Sequence, residues 1–299
     1  MSEFEEVFNS YSSGNKQYSK EEYAEYKKKE KQEVYDLIDK TAEKVVTNGD
    51  EFRKYLDAQS KFDQYSVGNA MLVLAQMPNA TQLRDYNGWQ NVGGYVKKSP
   101  KEVKILEPAD SYMREDGTVG INYNVKKVYD ITQVNIKDRA RQMRYDNKIL
   151  LKLFLQSSNS KVEVVDYIPD TDKKAMYDLN NDTLYIAKGA EAPSIFYEVT
   201  QEIARQEIGE DTLKNYCVSY MLCKKYNIDV SNYNFENVAI SMQSMDAKQI
   251  REELEPIRDA MDNINSRITE NIKQLARESK AKERWIYENG GLVNWKKKE

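Results

Sequence analysis

The stretch from 62 to 108, FDQYSVGNAMLVLAQMPNATQLRDYNGWQNVGGYVKKSPKEVKILEP, restricts this chain more than any other part of it. It opens with Tyr65-Ser66-x-x-Asn69. Ser66 is placed to cap a helix through Gln76, with Val67, Ala70, Met71, Leu72 and Leu74 as its core side. The segment Gln76-Met77-Pro78-Asn79-Ala80-Thr81 ends that helix. A Trp-containing turn, Tyr86-Asn87-Gly88-Trp89, leads to Gly93-Gly94 and then to the run Lys97-Lys98-Ser99-Pro100-Lys101-Glu102-Val103-Lys104. No fold requires exposed-type amides, aromatic rings and lysines in one block. An unpaired polynucleotide does, because lysines meet phosphates, amides meet bases and rings stack on them.

The candidate contacts are Tyr65, Ser66, Asn69, Gln76, Arg84, Trp89, Lys97, Lys98, Lys101 and Lys104. Each has a competing structural reading. Asn69 and Gln76 lie two helical turns apart on one face, suited either to bases or to pinning nearby loops. Trp89 serves as a core residue or as a stacking platform. Val103 to Glu107 and Val119 to Val128 alternate as strands around a Glu115-Asp116-Gly117 turn. Lys126, Lys127 and the lysines from 97 to 104 would then share one sheet surface, unless they only protect a solvated strand edge.

With 299 residues there is room for two compact domains, and only 12 Gly and 6 Pro imply few long loops and many helices. The net charge is -4, so nucleic-acid contact must come from local patches. The 22 tyrosines supply core or stacking positions. Cys217 and Cys223 fall on different faces of one helical pattern and cannot bridge there, which fits buried thiols in a reducing cytoplasm. No apolar run approaches a membrane span and the start, MSEFEEVFNS, is unlike a signal peptide, so a cytoplasmic protein with no membrane partner is expected. The chain has no histidine. That excludes a His general base, a Ser-His triad and any His-ligated metal, and no cofactor is expected.

Along the chain, residues 1–18 read as a mobile N-terminus. Ser19 with Glu22 forms a capping box for a helix to about Val46, whose lysines from 27 to 31 form a solvated face or, less favoured, contact DNA. A shorter helix follows Asn48-Gly49-Asp50. Residues 19–136 make a first domain and 137–148 a basic connector that extends the DNA path or faces solvent. Residues 149–280 make a second domain: a strand from Lys161, a hairpin across Asn180-Asn181-Asp182, then helices near 192–208, 211–226, 235–244 and 246–280. A tail, 281–299, carries Trp285 and Trp295 and is either a partner-binding segment or a packed arm.

The first block resembles the N-terminal single-stranded-DNA-binding domain of ArdC-type antirestriction proteins of plasmids, conjugative elements and phages. The shared positions are Tyr65, Ser66, Asn69, Gln76, Pro78, Ala80, Thr81, Trp89, Gly93, Val96 and Lys97, with Tyr129-Asp130-Ile131-Thr132-Gln133 closing the domain. An arginine usual in the family is Gly94 here, which removes one phosphate contact. The helix FYEVTQEIARQE resembles the zincin-like metallopeptidase half of the same family, where His-Glu-x-x-His holds zinc and the glutamate acts as base. Here those positions are Gln201, Glu202 and Arg205, and the third-ligand position falls on Lys214, Asn215 or Tyr216. An amide and a fixed cation do not bind zinc.

The resemblance therefore implies a helix-rich α+β protein: a small α+β single-stranded-DNA-binding domain, then a degenerate zincin-like α+β domain with a hairpin and a helical bundle, without a metal or catalytic residues. Arg205 would stand at the former metal position and pair with Glu202 or Glu198. The competing reading is an interaction scaffold whose partner is a restriction or DNA-transfer protein, with the acidic helices and the tail as its features.

Overall fold

The computed structural model describes residues 19–114, 116–137, 144–169, 172–189 and 194–288, with side chains as far as 279. The N-terminal 18 residues, the basic segment 138–143 and the end of the tail from 289 lie outside the described residues.

The first three helices start where local hydrogen bonding dictates. Helix α1 (Lys20–Val45) opens on a capping box: the Ser19 hydroxyl accepts from the Glu22 amide, and the Glu22 carboxylate accepts from the Ser19 amide. Asn48 caps α2 (Gly49–Lys61) and Ser66 caps α3 (Val67–Gln76), each accepting an N–H that the first helical turn leaves unpaired. The segment expected as a turn at 86–89 is a short helix, α4 (Tyr86–Gln90), because the Asp85 carboxylate caps it at the Gly88 amide. It lies between strands β1 (Leu83–Arg84) and β2 (Tyr95–Val96).

Strands β3 (Val103–Met113) and β4 (Val119–Asp130) form a long antiparallel hairpin, with a register shift between Pro108 and Ser111. Both outrun their sequence expectation, since each supplies the other's hydrogen bonds. β1 adds to β4, giving the order β1-β4-β3, and β5 (Val134–Asn135) pairs with β2 in a separate two-stranded ribbon.

The second half continues with α5 (Asn147–Gln156), β6 (Lys161–Val165), β7 (Ala175–Asp178) and β8 (Thr183–Ala187). The hairpin β7-β8 is as expected, while β6 pairs in parallel with β8 and leaves β7 as the other edge. Helices α6 (Ser194–Ile208), α7 (Thr212–Lys225), α8 (Glu236–Met242) and α9 (Ala247–Glu288) complete the chain. α9 runs past the expected boundary at 280, so Trp285 belongs to a helix and not to a separate tail. Among the described residues the architecture is mixed α+β, with nine helices and three small sheets.

The largest apolar core crosses the expected boundary at 137–148. It takes Val34 and Ile38 from α1, Phe52 and Leu56 from α2, Met71 and Leu72 from α3, and Ile203, Met221, Leu254 and Ile264 from the later helices. Phe52 stacks on Phe235, with ring centroids 5.9 Å apart. Tyr220 donates to Asp57 at 2.6 Å, and Lys225 reaches Asp63 at 2.9 Å. Many of the tyrosines are spent here: Tyr197, Tyr216, Tyr220 and Tyr233 pack edge to face around Phe235. A smaller core of Phe62, Val73, Ala80, Val103, Ile105 and Val128 fixes the hairpin root on α3. Cys217 and Cys223 are free thiols, both buried, and burial pushes their pKa up.

Asp130 ties that root together. It is 1% exposed, and its carboxylate accepts from the amides of Thr81, Gln82 and Thr132 and from the Thr132 hydroxyl. Burial alone would raise its pKa; the four donors outweigh that and hold it below the ordinary aspartate value. A carboxyl depressed in the folded state contributes stability above its unfolded pKa, and that contribution is lost as pH falls through the lower folded value. Asp130→Ala is therefore expected to cost about 3 kcal/mol or more in chemical denaturation at pH 7, at ~1 kcal/mol or more per orphaned donor. The wild type should lose much of that margin below about pH 4, and the variant should lack that limb of its stability profile.

Candidate nucleic-acid interface

Asn69 and Gln76 share a face of α3, as their spacing requires, and that face meets the outer edge of β3. The Asn69 amide donates to the Leu106 carbonyl and accepts from the Leu106 N–H, both at 2.8 Å. Gln76 does the same with Lys104, at 2.8 and 2.9 Å. Residues i and i+2 of a strand present both backbone groups to one side, so two side-chain amides stand in for a neighbouring strand. Of the two readings open for these amides, the structure contains the pinning role: each uses its carbonyl and an N–H on backbone.

The other candidates divide. Ser66 caps α3, and Tyr65 is half-buried against Phe62, with ring centroids 5.4 Å apart. Trp89 is 1% exposed and donates its indole N–H to the Tyr129 carbonyl at 2.8 Å, so its ring is a core residue. Arg84 lies over that ring from outside, at 5.7 Å. Gly94 packs so closely on Trp89 that a Cβ there would lie 2.8 Å from Val134 Cγ1 and 3.2 Å from the Trp89 carbonyl. The arginine of the resemblance has no room at that position.

The lysines do not form one sheet surface. Lys104 faces Lys127 across the hairpin while Lys126 faces Ile105, and adjacent residues of a strand point to opposite sides. Lys104 pairs with Glu30 at 3.0 Å, Lys126 with Asp85 at 2.8 Å, and Lys127 with Glu102 at 2.9 Å. Lys101 donates to the Gln76 carbonyl and Lys97 to the Thr132 carbonyl, both from exposed positions. Lys98 is exposed, with no side-chain partner among the described residues.

Lys97 also lines the largest hollow of the front half, an open depression of about 600 Å³ along the β2-β5 ribbon. Tyr95, Lys97 and Lys137 line it with Val92, Gly93, Val134, Asn135 and Ile136, and no carboxylate is among them. Tyr95 is 65% exposed. Tyr95 and Lys97 alternate along one strand direction, so they share a face, and that period-two relation was readable in the sequence. Tyr65 and Asn69 do not line this hollow.

In the second half, α6 performs on β7 what α3 performs on β3. Glu198 accepts from the Lys174 and Ala175 amides. Glu202, 5% exposed, accepts from the Tyr177 amide at 3.0 Å, and Arg205 donates to the Tyr177 carbonyl at 3.0 Å. Arg205 pairs with Glu202 at 3.4 Å, one of the two partners expected, and its other acid is Glu210, not Glu198. Hydrogen bonding to Glu210, together with Glu202, holds the guanidinium charged. Lys173 adds a second cation at 3.0 Å from Glu202. At the third-ligand position, Lys214 bridges Asp211 and Glu253, Asn215 donates to the Gly209 carbonyl, and the Tyr216 hydroxyl accepts from the Asn234 amide. No group of three metal-ligating side chains occurs among the described residues, and no helix among them is long and apolar enough to cross a membrane.

No family model and no curated protein matches the chain. Among solved structures it is similar to the metal-free crystal structure of the antirestriction ArdC protein from R388 plasmid, at 14% identity and a TM-score of 0.43, over 69% of this chain and 86% of that one. The Mn(II)-bound structure of the same protein gives 14% and 0.43, over 68% and 85%.

The amide pins are tested by isosteres that keep shape and remove the donor. Asn69→Asp and Gln76→Glu each leave a strand carbonyl unpaired beside a charge. Each is expected to lower folding stability by about 1–3 kcal/mol in urea titrations.

Proposed function

We propose that this chain binds single-stranded DNA at the β2-β5 hollow, and that it is an antirestriction-like protein of a mobile element whose second half does not hydrolyse peptides. The observation that carries the first part is Tyr95, a largely exposed ring beside Lys97 and Lys137 in a hollow lined by no acid. Aromatic platforms flanked by ammonium groups suit unpaired bases with their phosphates, and they do so without strong sequence preference. Because the whole chain carries -4, this local cationic surface would do the attracting. Lys98 and Lys101 extend it, while Arg84 and Trp89 support it from beneath. Covering an incoming strand is the role this reading gives the protein.

The second part rests on the occupied carboxylate. A general base toward a metal-bound water needs a free lone pair and a metal. Glu202 instead receives one backbone amide and two cations.

Fluorescence anisotropy with labelled oligonucleotides tests the first part. Single strands should bind more tightly than duplex. Tyr95→Ala should cost about 1–3 kcal/mol of binding free energy. Lys97→Ala with Lys98→Ala should flatten the salt dependence by about 1.4 in log K against log salt, at ~0.7 for each phosphate no longer neutralised. Equal affinity for both forms would contradict the reading. For the second part, elemental analysis of the purified protein should find no stoichiometric zinc, and zinc that disappears on Glu202→Gln would contradict it.

A further inference from the structure

From Lys20 to Lys29, helix α1 touches no core: every residue there is exposed, and the helix seats itself only at Glu30. This overhang is about 15 Å long, at ~1.5 Å per residue. It is nonetheless capped at Ser19 by both halves of a capping box. The buried seam of α1 runs through Val34, Ile38 and Val45. Carried backward at helical spacing, that seam passes through Lys31, Lys27, Tyr23 and Lys20, while Glu21, Glu22 and Glu25 fall on the opposite side. An amphipathic helix would continue an apolar stripe here. This one substitutes rings and ammonium groups, and it keeps these carboxylates away.

The side chains are interleaved. The Lys27 ammonium lies over the Tyr23 ring at 5.9 Å and the Tyr26 ring at 5.8 Å, and Lys31 lies over Tyr35 at 6.0 Å. Glu30, 3% exposed, takes Lys27 at 2.9 Å and Lys104 at 3.0 Å, and so moors the overhang to β3. Lys127, across the hairpin from Lys104, is within electrostatic reach of Tyr26. The hairpin root next to it connects to the hollow, since Gln133 donates to the Lys101 carbonyl and Lys97 to the Thr132 carbonyl.

We infer that a single strand seated in the hollow continues across the hairpin root onto the overhang of α1, where Tyr23 and Tyr26 stack bases and Lys20, Lys27 and Lys31 meet phosphates. This rests on the function proposed above. The phosphodiester chain is the occupant the charge pattern favours: cations and rings on one side, Glu21, Glu22 and Glu25 on the other. An occupant that is a protein would need an acidic segment.

The test compares oligothymidylates of about 5 and about 20 nucleotides, spanning the ~4–16 nucleotides that single-strand modules cover. The protein is the full chain and its Tyr23→Ala/Tyr26→Ala variant, whose folding is checked by circular dichroism. The variant should bind the long oligomer about tenfold or more weakly and the short one within about twofold of wild type. Tyr23→Phe/Tyr26→Phe should restore long-oligomer binding, because phenylalanine keeps the stacking face. Equal losses on both lengths, or no loss on the long one, would overturn the inference while leaving the hollow as a binding site. Failure of the wild-type chain to bind either length would overturn the hollow and the track together. Displacement of the long oligomer from wild type but not from the variant by polyglutamate, without a length effect, would assign the strip to an acidic protein partner and overturn it too.

Discussion

A strand at the edge of a sheet carries backbone donors and acceptors that must be paired with something, and this chain pairs two such edges with side chains from a helix. On β3 the partners are Asn69 and Gln76 of α3; on β7 they are Glu198, Glu202 and Arg205 of α6. In both places the spacing along the helix presents successive groups to residues i and i+2 of the strand. An unmet group of this kind costs about 1–3 kcal/mol when buried, so the helices are locked in position and register by it. The hairpin root, the ribbon beyond it and the hollow on that ribbon all take their positions from the first of these locks.

The second consequence is that the two halves are one mechanical unit. The front helices α1 to α3 bury their apolar faces in the core that α7 and α9 complete. Two ion pairs, Lys224 to Asp57 and Lys225 to Asp63, cross the same seam. The second half thereby has work to do without chemistry of its own: it holds the helices that hold the hairpin. Glu202 fits that assignment, because its carboxylate closes a strand edge between two cations.

Much of this was legible in the sequence. The caps at Ser19, Asn48 and Ser66 are local decisions, and each helix began where its cap lies. The hairpins showed as alternation broken by turn residues. The target of Asn69 and Gln76 was not legible, because an amide on a helix face carries no mark of what it faces 37 or 28 residues later. The same holds for Asp130, which reads as one acid among many until Thr81 and Gln82 are folded against it. Trp89 shows how context decides burial: its indole found a carbonyl inside the root, and the exposed ring of the region became Tyr95. The clue to Tyr95 was present in its two-residue offset from Lys97. The large shared core was hidden because periodicity shows that a helix has an apolar face and says nothing about which helix it meets.

The measurement closest to the central claim is photocrosslinking of a single-stranded oligonucleotide carrying 5-bromouracil to the intact protein, with adducts located by peptide mass spectrometry. The account predicts that the principal adduct falls on the peptide holding Tyr95, and that unlabelled single strand competes it away better than duplex does. Adducts confined to the second half, or a Tyr95 adduct equally sensitive to duplex, would contradict it.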